Sequence, residues 1–239
     1  MVANWLENAV PESQQARAFL AATGDLAVMP ERLRTAVLDR CSLRRFSAGE
    51  NLYALGDPPG GPHGLVAGGV ALFMGQADHG PYFAHFGRPG VWFGEGSALS
   101  DQPRQVGAVA TRDTTTLHLP LPAIRTLAST DGEVWRWIAM LTSQHLKIAM
   151  GAIVDLMIRD PSERVIAMLL RLADRRMPGG TDLAVEIDAS QQDLAAMANL
   201  SRNALGAILR RLQIEGLVQI GYRQITLMSP DALRARMRV

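Results

Sequence analysis

The sequence predicts an α+β protein in three successive parts: a β-barrel or jelly roll, a long helix, and a winged helix-turn-helix. Between about residues 42 and 122, short apolar runs alternate with clusters of Gly, Pro and Asp, as in an antiparallel barrel. Residues 130–159 then follow one helical pattern, and residues 190–212 have the spacing of two short helices joined by a turn. We therefore predict domains at residues 1–129 and 160–239, connected by the long helix.

Length and composition are those of an ordinary two-domain protein. At 239 residues the chain is long enough for two cores. Its single cysteine, Cys41, excludes an intrachain disulfide framework and a cysteine-ligated iron–sulfur cluster, so a cytoplasmic location is the simplest interpretation. Neither a signal peptide nor a membrane-spanning apolar run is predicted. The formal net charge is +1, but residues 200–239 contain seven Arg against Glu215 and Asp231, which modestly favours nucleic acid as a partner.

The regions before and within the barrel have different patterns. Apolar residues at helical spacing predict short helices over residues 3–22 and 30–40. Strands are predicted at five apolar runs, residues 52–55, 64–67, 70–73, 82–86 and 117–119. Turn-forming residues separate the runs, which favours antiparallel pairing.

The long helical segment is apolar on two faces. One stripe comprises Val134, Ile138, Leu141 and Ile148, and the other comprises Ala139, Ser143, Leu146, Met150, Ile153 and Met157. Thr130 and Glu133 are spaced as a capping box at its start. Two apolar faces need two partners. A core helix between two domains would meet this need, but about thirty residues is long for a domain interior, so we favour a homodimer.

A helix boundary is predicted at Asp160, because Pro161 suits the first helical position and Glu163 the first turn. We interpret this point as a hinge. An amphipathic helix over residues 163–176 and a short strand over residues 184–187 follow it.

The two short helices carry local start and stop signals. Ser190 and Asp193 are spaced to cap the first helix, Asn199 suits a left-handed turn, and Ser201 suits the cap of the second. The inward positions of the second helix are Leu205, Ile208, Leu209 and Leu212, and the outward ones are Arg202, Asn203, Gly206, Ala207, Arg210 and Arg211. A small, polar edge that carries Arg fits a DNA major groove. After Gly216, residues 217–227 predict the hairpin that completes a winged helix.

Several stretches, in their order, resemble a known family. In the barrel they are residues 49–50 with 55–58, and residues 93–95 with 103–104; in the C-terminal part they are residues 160–164, 191–195, 200–202 and 212–217. From about residue 42 onward the chain is similar to the cyclic-AMP receptor/FNR (CRP/FNR) family of bacterial transcription regulators. The resemblance implies a cyclic-nucleotide-binding-like barrel, a homodimer, a palindromic double-stranded DNA operator, and RNA polymerase as a further partner.

The resemblance also implies roles on DNA. Ser190, Gln192 and Ser201 match positions that hold phosphates, and Arg202 matches an Arg that reads guanine. The next reading positions differ, because Asn203 replaces a Glu and Ala207 replaces an Arg. Gly206 and Arg210 complete the predicted DNA-binding face. The operator should therefore differ from the one that the cyclic-AMP receptor reads.

The effector site matches the family less well. Gly94, Glu95 and Arg104 correspond to its phosphate-binding residues, but Gln105 replaces a hydroxyl residue. The helix positions that meet the purine are Ala149 and Met150, which cannot donate hydrogen bonds, so cyclic AMP is disfavoured. Another effector, or none, is open, and a Glu95–Arg104 pair with a purely structural role would look the same.

The sequence contains no nucleophile, phosphate-loop or metalloprotease motif and no metal-ligand spacing among its five His, so we predict neither an enzyme nor a metal site. The preferred function is a homodimeric, sequence-specific transcription regulator. The alternative is a small-molecule-binding module whose winged helix mediates protein contacts.

Overall fold

The computed structural model describes residues 12–76, 79–177 and 182–237. Within these residues helices and strands are mixed, as predicted. The described helices include none that is long and apolar enough to cross a membrane.

The chain divides into two compact units. Unit 1 lies within Met1–Val70 and Gly87–Thr142, and unit 2 lies within Ala71–Phe86 and Ser143–Val239. This division cuts the long helix, Glu133–Met157, between Thr142 and Ser143 rather than at its ends. The domain boundaries predicted from the sequence stay predictions.

The described helices follow the predicted order with four additions. They are α1 (Glu12–Ala22), α2 (Gly24–Ala27), α3 (Glu31–Asp39), α4 (Gly96–Ser100), α5 (Leu121–Ala128), α6 (Glu133–Met157), α7 (Pro161–Leu172), α8 (Gln191–Met197), α9 (Arg202–Ile214) and α10 (Pro230–Ala235). The four helices that the sequence patterns did not predict are α2, α4, α5 and α10. The part of the predicted first helix before residue 12 lies outside the described residues.

The strands lie where the apolar runs predict them, with additions. They are β1 (Ser42–Phe46), β2 (Asn51–Tyr53), β3 (His63–Ala67), β4 (Val70–Gln76), β5 (His79–Gly87), β6 (Trp92–Phe93), β7 (Val106–Ala110), β8 (Thr114–His118), β9 (Val185–Ile187), β10 (Val218–Gly221) and β11 (Gln224–Leu227). In unit 1 one sheet has the order β1-β8-β3-β6, and β2 pairs antiparallel with β7 in another. Separate sheets, rather than one closed barrel, are the arrangement of a jelly roll.

Strand register brings distant polar residues together inside unit 1. In the antiparallel β3–β8 pair His63 lies opposite His118, and in the β3–β6 pair it lies opposite Phe93. Trp92 of β6 contacts Trp137 of the long helix edge to face, with 5.1 Å between ring centroids, and both are fully buried. Large apolar side chains at these positions form the core of unit 1.

The start of α6 differs from the prediction. The Glu133 N–H donates to the Asp131 carboxylate at 3.1 Å, while the Thr130 hydroxyl donates to the Leu127 carbonyl. The predicted Thr130–Glu133 capping box is therefore wrong, because Asp131 lies nearer in sequence and accepts the bond instead.

The two apolar stripes of α6 differ in solvent exposure. Val134, Ile138 and Leu141 are fully buried in unit 1. In the other stripe the exposed fraction is 61% for Leu146, 52% for Met150, 53% for Ile153 and 76% for Met157.

Unit 2 contains a second apolar core beneath α7, α8 and α9. Asp160 caps α7 as predicted, since its carboxylate accepts the N–H groups of Ser162 and Glu163 at 2.9 Å. The sheet has the order β10-β11-β9, with Ile225 opposite Ile187. The buried residues of this apolar core include Leu169, Leu194, Leu205, Leu209 and Leu227. This core supports a helix-turn-helix followed by a β-hairpin wing.

Candidate DNA-binding surface and effector site

The first helix of the helix-turn-helix is fixed by its cap. The Asp193 N–H donates to the Ser190 hydroxyl oxygen at 3.1 Å, and the Asp193 carboxylate accepts from the Ser190 N–H and hydroxyl. This reciprocal pair is the predicted capping box. Because residues three apart make these bonds, the sequence alone determines them.

The turn and the second helix also follow the prediction. Asn199 has φ = 50°, the left-handed conformation that Asn tolerates better than most residues. The Ser201 hydroxyl then accepts the Ala204 N–H at 3.2 Å and caps α9. Leu205, Leu209 and Leu212 are buried beneath the helix, so its opposite face is directed to solvent.

Most residues of the predicted DNA-binding set are exposed. Gln192, Ser201, Arg202, Asn203, Ala207 and Arg210 are exposed, and Ser190 is half-buried. Gly206 is the exception, since it is buried. A β-carbon there would lie 3.4 Å from Arg210 Nη1 and 3.5 Å from Gln191 Oε1, so the predicted outward position of Gly206 is wrong. It lies where side chains of α8 and α9 meet.

Arginines that the site prediction did not include connect the helices of unit 2. Arg164 donates through Nε to the Ala198 carbonyl at 2.8 Å and through Nη1 to the Ile158 carbonyl at 2.7 Å. It therefore ties the hinge segment to the end of α8. Arg211, predicted to face outward, donates to the Ser162 hydroxyl at 2.7 Å. No local pattern marks the Arg164–Ala198 and Arg211–Ser162 bonds, because these partners are 34 and 49 residues apart in the sequence.

A buried ion cluster joins the end of α6 to α7. Asp155 is 4% exposed, and its carboxylate accepts from Arg171 Nε at 2.8 Å and lies 3.1 Å from Arg176 Nη1. A buried carboxylate requires such partners. The cluster fixes the last turns of α6 relative to α7.

The wing ends in an exposed turn. Tyr222 is 95% exposed, and Arg223 adopts φ = 52° between β10 and β11. Neither residue was among the predicted site residues, although their position in a predicted hairpin turn marked them as surface residues.

In unit 1, Arg104 and Gly94 come together as predicted. Gly94 has φ = 87°, and its carbonyl accepts a bond from Arg104 Nη1. Arg104 Nη2 donates to the Gly61 carbonyl at 2.9 Å, and the guanidinium carbon lies 4.1 Å from the centre of the Tyr53 ring. Burial lowers the pKa of Arg104, while Tyr53, Asp57 and Glu95 act in the opposite direction.

The remaining predicted effector residues differ in burial. Glu95 is buried in unit 1, where the Thr142 hydroxyl donates to its Oε1 at 3.4 Å. Gln105 is exposed, unlike Arg104 before it. Ala149 is half-buried and Met150 exposed, and both belong to unit 2. Thr142, a hydroxyl on α6 beside Glu95, was not predicted.

Unit 1 also contains a histidine pair that sequence reasoning missed. The His63 and His118 rings stack with centroids 4.4 Å apart, and His63 Nδ1 lies 3.1 Å from the Thr116 hydroxyl. Burial, followed by the charge of Arg44, lowers the pKa of His118 to about 4. Burial likewise lowers the pKa of His63 well below its ordinary value. Both rings are therefore neutral at physiological pH.

Comparisons with known families agree with this architecture. Residues 43–131 match the family model of the cyclic nucleotide-binding domain, and residues 163–236 match the Crp-like helix-turn-helix domain. A chain with both domains is a DNA-binding transcription regulator. This chain belongs to the CRP/FNR family.

Individual relatives are similar over most of their length. The CRP-like cAMP-activated global transcriptional regulator of Mycobacterium tuberculosis is 23% identical over 195 residues, which cover 81% of this chain and 87% of that protein. FixK2 from Bradyrhizobium japonicum has a TM-score of 0.71 at 22% identity, covering 83% and 98%. A CRP/FNR-family transcriptional regulator from Thermus thermophilus has a TM-score of 0.61 at 26% identity, covering 82% and 100%. The predicted fold class is confirmed.

Proposed function

We propose that this regulator acts as a homodimer that binds a palindromic operator through α9 of each copy. The observation that carries the proposal is the capped helix-turn-helix, which leaves Arg202, Asn203 and Ala207 exposed on one face above a buried leucine core. A rigid helix with such an edge can enter a major groove. Two copies would then contact successive grooves on one side of the duplex.

The exposed residues divide into positioning and reading roles. The Gln192 amide, the Ser201 hydroxyl and the Arg210 guanidinium suit phosphate oxygens. Arg202 suits guanine and Asn203 suits adenine, while Ala207 offers an apolar contact to a thymine methyl group. Ser190 contributes by capping α8, since its hydroxyl donates to Asp193 at 2.6 Å. Gly206 contributes by its small size.

The exposed stripe of α6 supports dimerisation. Leu146, Met150, Ile153 and Met157 follow each other at intervals of four, three and four residues, the spacing of a coiled-coil seam. Their exposed fractions all exceed half, which is unfavourable in water unless another surface covers them. A second copy of the same helix fits this stripe, because an isologous contact pairs a surface with itself.

Unit 1 supplies the signal in this proposal. A change in unit 1 reaches unit 2 through α6, which runs from one into the other, and through the Asp155 and Arg164 contacts at its end. The protein performs no catalysis, acts on the chromosome in the cytoplasm, and contacts RNA polymerase when bound beside a promoter. Because residues 43–131 match the cyclic nucleotide-binding domain, a cyclic nucleotide is the effector class to test first.

The test is selection of bound DNA from a random pool at physiological salt, with and without cyclic AMP. We expect a palindromic consensus containing guanine and adenine at the positions that Arg202 and Asn203 reach. Arg202→Ala should lose that consensus, while Arg125→Ala, which removes an exposed Arg of α5, should keep it. If the purified dimer shows no preference over random DNA in either condition, the proposal fails and the small-molecule-binding module becomes the better interpretation.

A further inference from the structure

The side chain that matches the family's phosphate-binding Arg is bonded to two carbonyl groups of its own unit. We propose that Arg104 is a structural tie within unit 1 and that the regulator binds its operator without a cyclic nucleotide. The second half of this inference rests on the proposed function, whereas the first half concerns unit 1 alone.

The guanidinium of Arg104 is bound on two sides and covered on a third. Its Nη2 donates to the Gly61 carbonyl at 2.9 Å, its Nη1 donates to the Gly94 carbonyl, and its central carbon lies 4.1 Å from the Tyr53 ring centre. The residue is only 6% exposed. Two of the five guanidinium N–H groups are thus bonded to protein carbonyls, and a phosphate that displaced either bond would leave that carbonyl without its Arg104 donor, which is unfavourable.

Two glycines make room for this arrangement. A β-carbon at Gly60 would lie 2.4 Å from Arg104 Nη2, and one at Gly94 would lie 2.9 Å from Arg104 Nη1 and 2.9 Å from the Tyr53 hydroxyl. Neither distance is possible for a real side chain. Glycine is therefore required at position 94 for two reasons: it leaves space for the Arg104 guanidinium, and it adopts a left-handed φ of 87°.

Further hydrogen bonds connect Arg104, residues 56–61 and residues 94–97. The Arg104 N–H donates to the Asp57 carbonyl at 2.8 Å, and the Gly56 N–H donates to the Arg104 carbonyl at 2.8 Å. The Ser97 hydroxyl donates to the Gly60 carbonyl at 3.0 Å. Arg104 is thus one member of a network that joins residues 56–61 to residues 94–97 without any ligand.

The residues at the positions that meet the purine in the family add no hydrogen bond that would offset this loss. Ala149 and Met150, the positions that meet the purine in the family, carry no hydrogen-bond donor. The polar edge of adenine would lose its water without gaining a partner, which lowers affinity.

The experiment compares three variants of the full-length protein. Arg104→Gln removes the tie, and Gly60→Ala displaces it while keeping the charge, since the added methyl group would overlap Nη2. Gly96→Ala is the matched control, because a β-carbon at Gly96 meets nothing within 4 Å. For each protein we would measure the Tm from tryptophan fluorescence, the binding of cyclic AMP and cyclic GMP by calorimetry, and the operator affinity with and without about 1 mM of each nucleotide.

The proposal predicts that Arg104→Gln and Gly60→Ala lower the Tm by several degrees and that Gly96→Ala does not. It predicts no calorimetric binding, and an operator affinity that changes by less than about fivefold with either nucleotide, the lower end of ordinary allosteric coupling. Nucleotide binding that tightens operator affinity by more than about fivefold, and that Arg104→Gln abolishes without lowering the Tm, would overturn it.

Failure of the proposed function gives a different result. If no DNA is bound under any condition, the operator arm contradicts the proposed function, while the Tm and calorimetry arms still decide whether Arg104 ties unit 1 or holds a ligand. If Arg104→Gln does not fold, the Tm and nucleotide binding of Gly60→Ala, compared with those of Gly96→Ala, decide whether Arg104 ties unit 1 or holds a ligand.

Discussion

Unit 1 and unit 2 use their polar side chains in opposite ways. In unit 2, Arg202 and Asn203 are exposed to solvent. The polar side chains of the helix caps, Ser190 with Asp193 and Ser201, form hydrogen bonds within this unit. In unit 1, Glu95 and Arg104 are buried, and Arg104 is bound to the carbonyls of its own unit. Each unit contains an Arg at the position that the family resemblance implies, Arg202 in unit 2 and Arg104 in unit 1. A motif therefore indicates which residue types are present, while burial decides whether they are available to a partner.

This contrast predicts that variants of exposed residues in unit 2 change binding, whereas variants of buried polar residues change stability. The largest effect should follow Ile153→Lys, which introduces a charge into the exposed stripe of α6. We expect the dimer to dissociate, and operator affinity to fall by about 10²–10⁴ as the two half-sites are no longer bound together. Sedimentation and fluorescence anisotropy measure the two effects. Gln144→Lys, an exposed position beside the stripe, should remain dimeric; if Ile153→Lys also remains dimeric, the stripe has another partner.

The next largest effect should follow Asp155→Ala. Asp155 is a buried polar residue of unit 2, so this variant tests whether burial, and not membership of unit 1, makes a polar residue important for stability. Removing this carboxylate leaves Arg171 buried without its partner, so the free energy of unfolding should fall by about 3–5 kcal/mol. Urea unfolding followed by circular dichroism measures it. Asp39→Ala, at an exposed position, is the control and should be nearly neutral. An equally small effect of both variants would contradict the role given to the cluster.

Arg202→Ala should weaken binding to the selected operator by about 1–3 kcal/mol while leaving the Tm unchanged. Binding to scrambled DNA should change much less, because the guanine contact is lost and the phosphate contacts remain. Anisotropy titrations with both DNAs measure the difference. Equal weakening on the two DNAs would assign Arg202 to a phosphate instead of a base.

Ser201→Ala should lower the free energy of unfolding by about 1 kcal/mol, the usual value of a helix cap, and should also weaken operator binding. Ser100→Ala, in which an exposed hydroxyl of α4 is removed, should change neither quantity. Unchanged stability in Ser201→Ala would mean that the cap contributes nothing measurable.

The smallest expected effect is a pH dependence of unit 1. Burial lowers the pKa of His118 to about 4 and lowers that of His63 well below 6.5. Between about pH 4 and 6.5 the unfolded chain therefore binds more protons than the folded one, so stability is complete above pH 6.5 and falls as the pH decreases. Urea midpoints from tryptophan fluorescence between these pH values should depend less on pH in His118→Gln than in the unchanged protein. Identical slopes would remove the histidine pair as the cause.

The sequence predicted the local features of the fold well. The Ser190–Asp193 box, the Asp160 cap, the left-handed Asn199 and the Ser201 cap are all as predicted. Each depends on a hydrogen bond or a backbone angle that spans at most three residues. Such interactions do not require knowledge of the remaining chain.

Local reasoning also failed in instructive places. The Thr130–Glu133 box was wrong because Asp131 offers a competing acceptor. The start of α10 was missed although Ser229 caps it and Pro230 occupies its first position, the same signal that was recognised at Asp160. These features were within reach of sequence analysis.

The sequence by itself thus determined the order of elements, their caps and turns, and the family to which the chain belongs. Only the tertiary structure decided that Gly206 is buried, that His63 stacks on His118, and that Arg104 binds Gly61 and Gly94. The His pair is 55 residues apart in the chain and the Arg104–Gly61 pair 43. The physical reason is range: such contacts depend on strand register and packing across the whole unit, which no short stretch of sequence specifies.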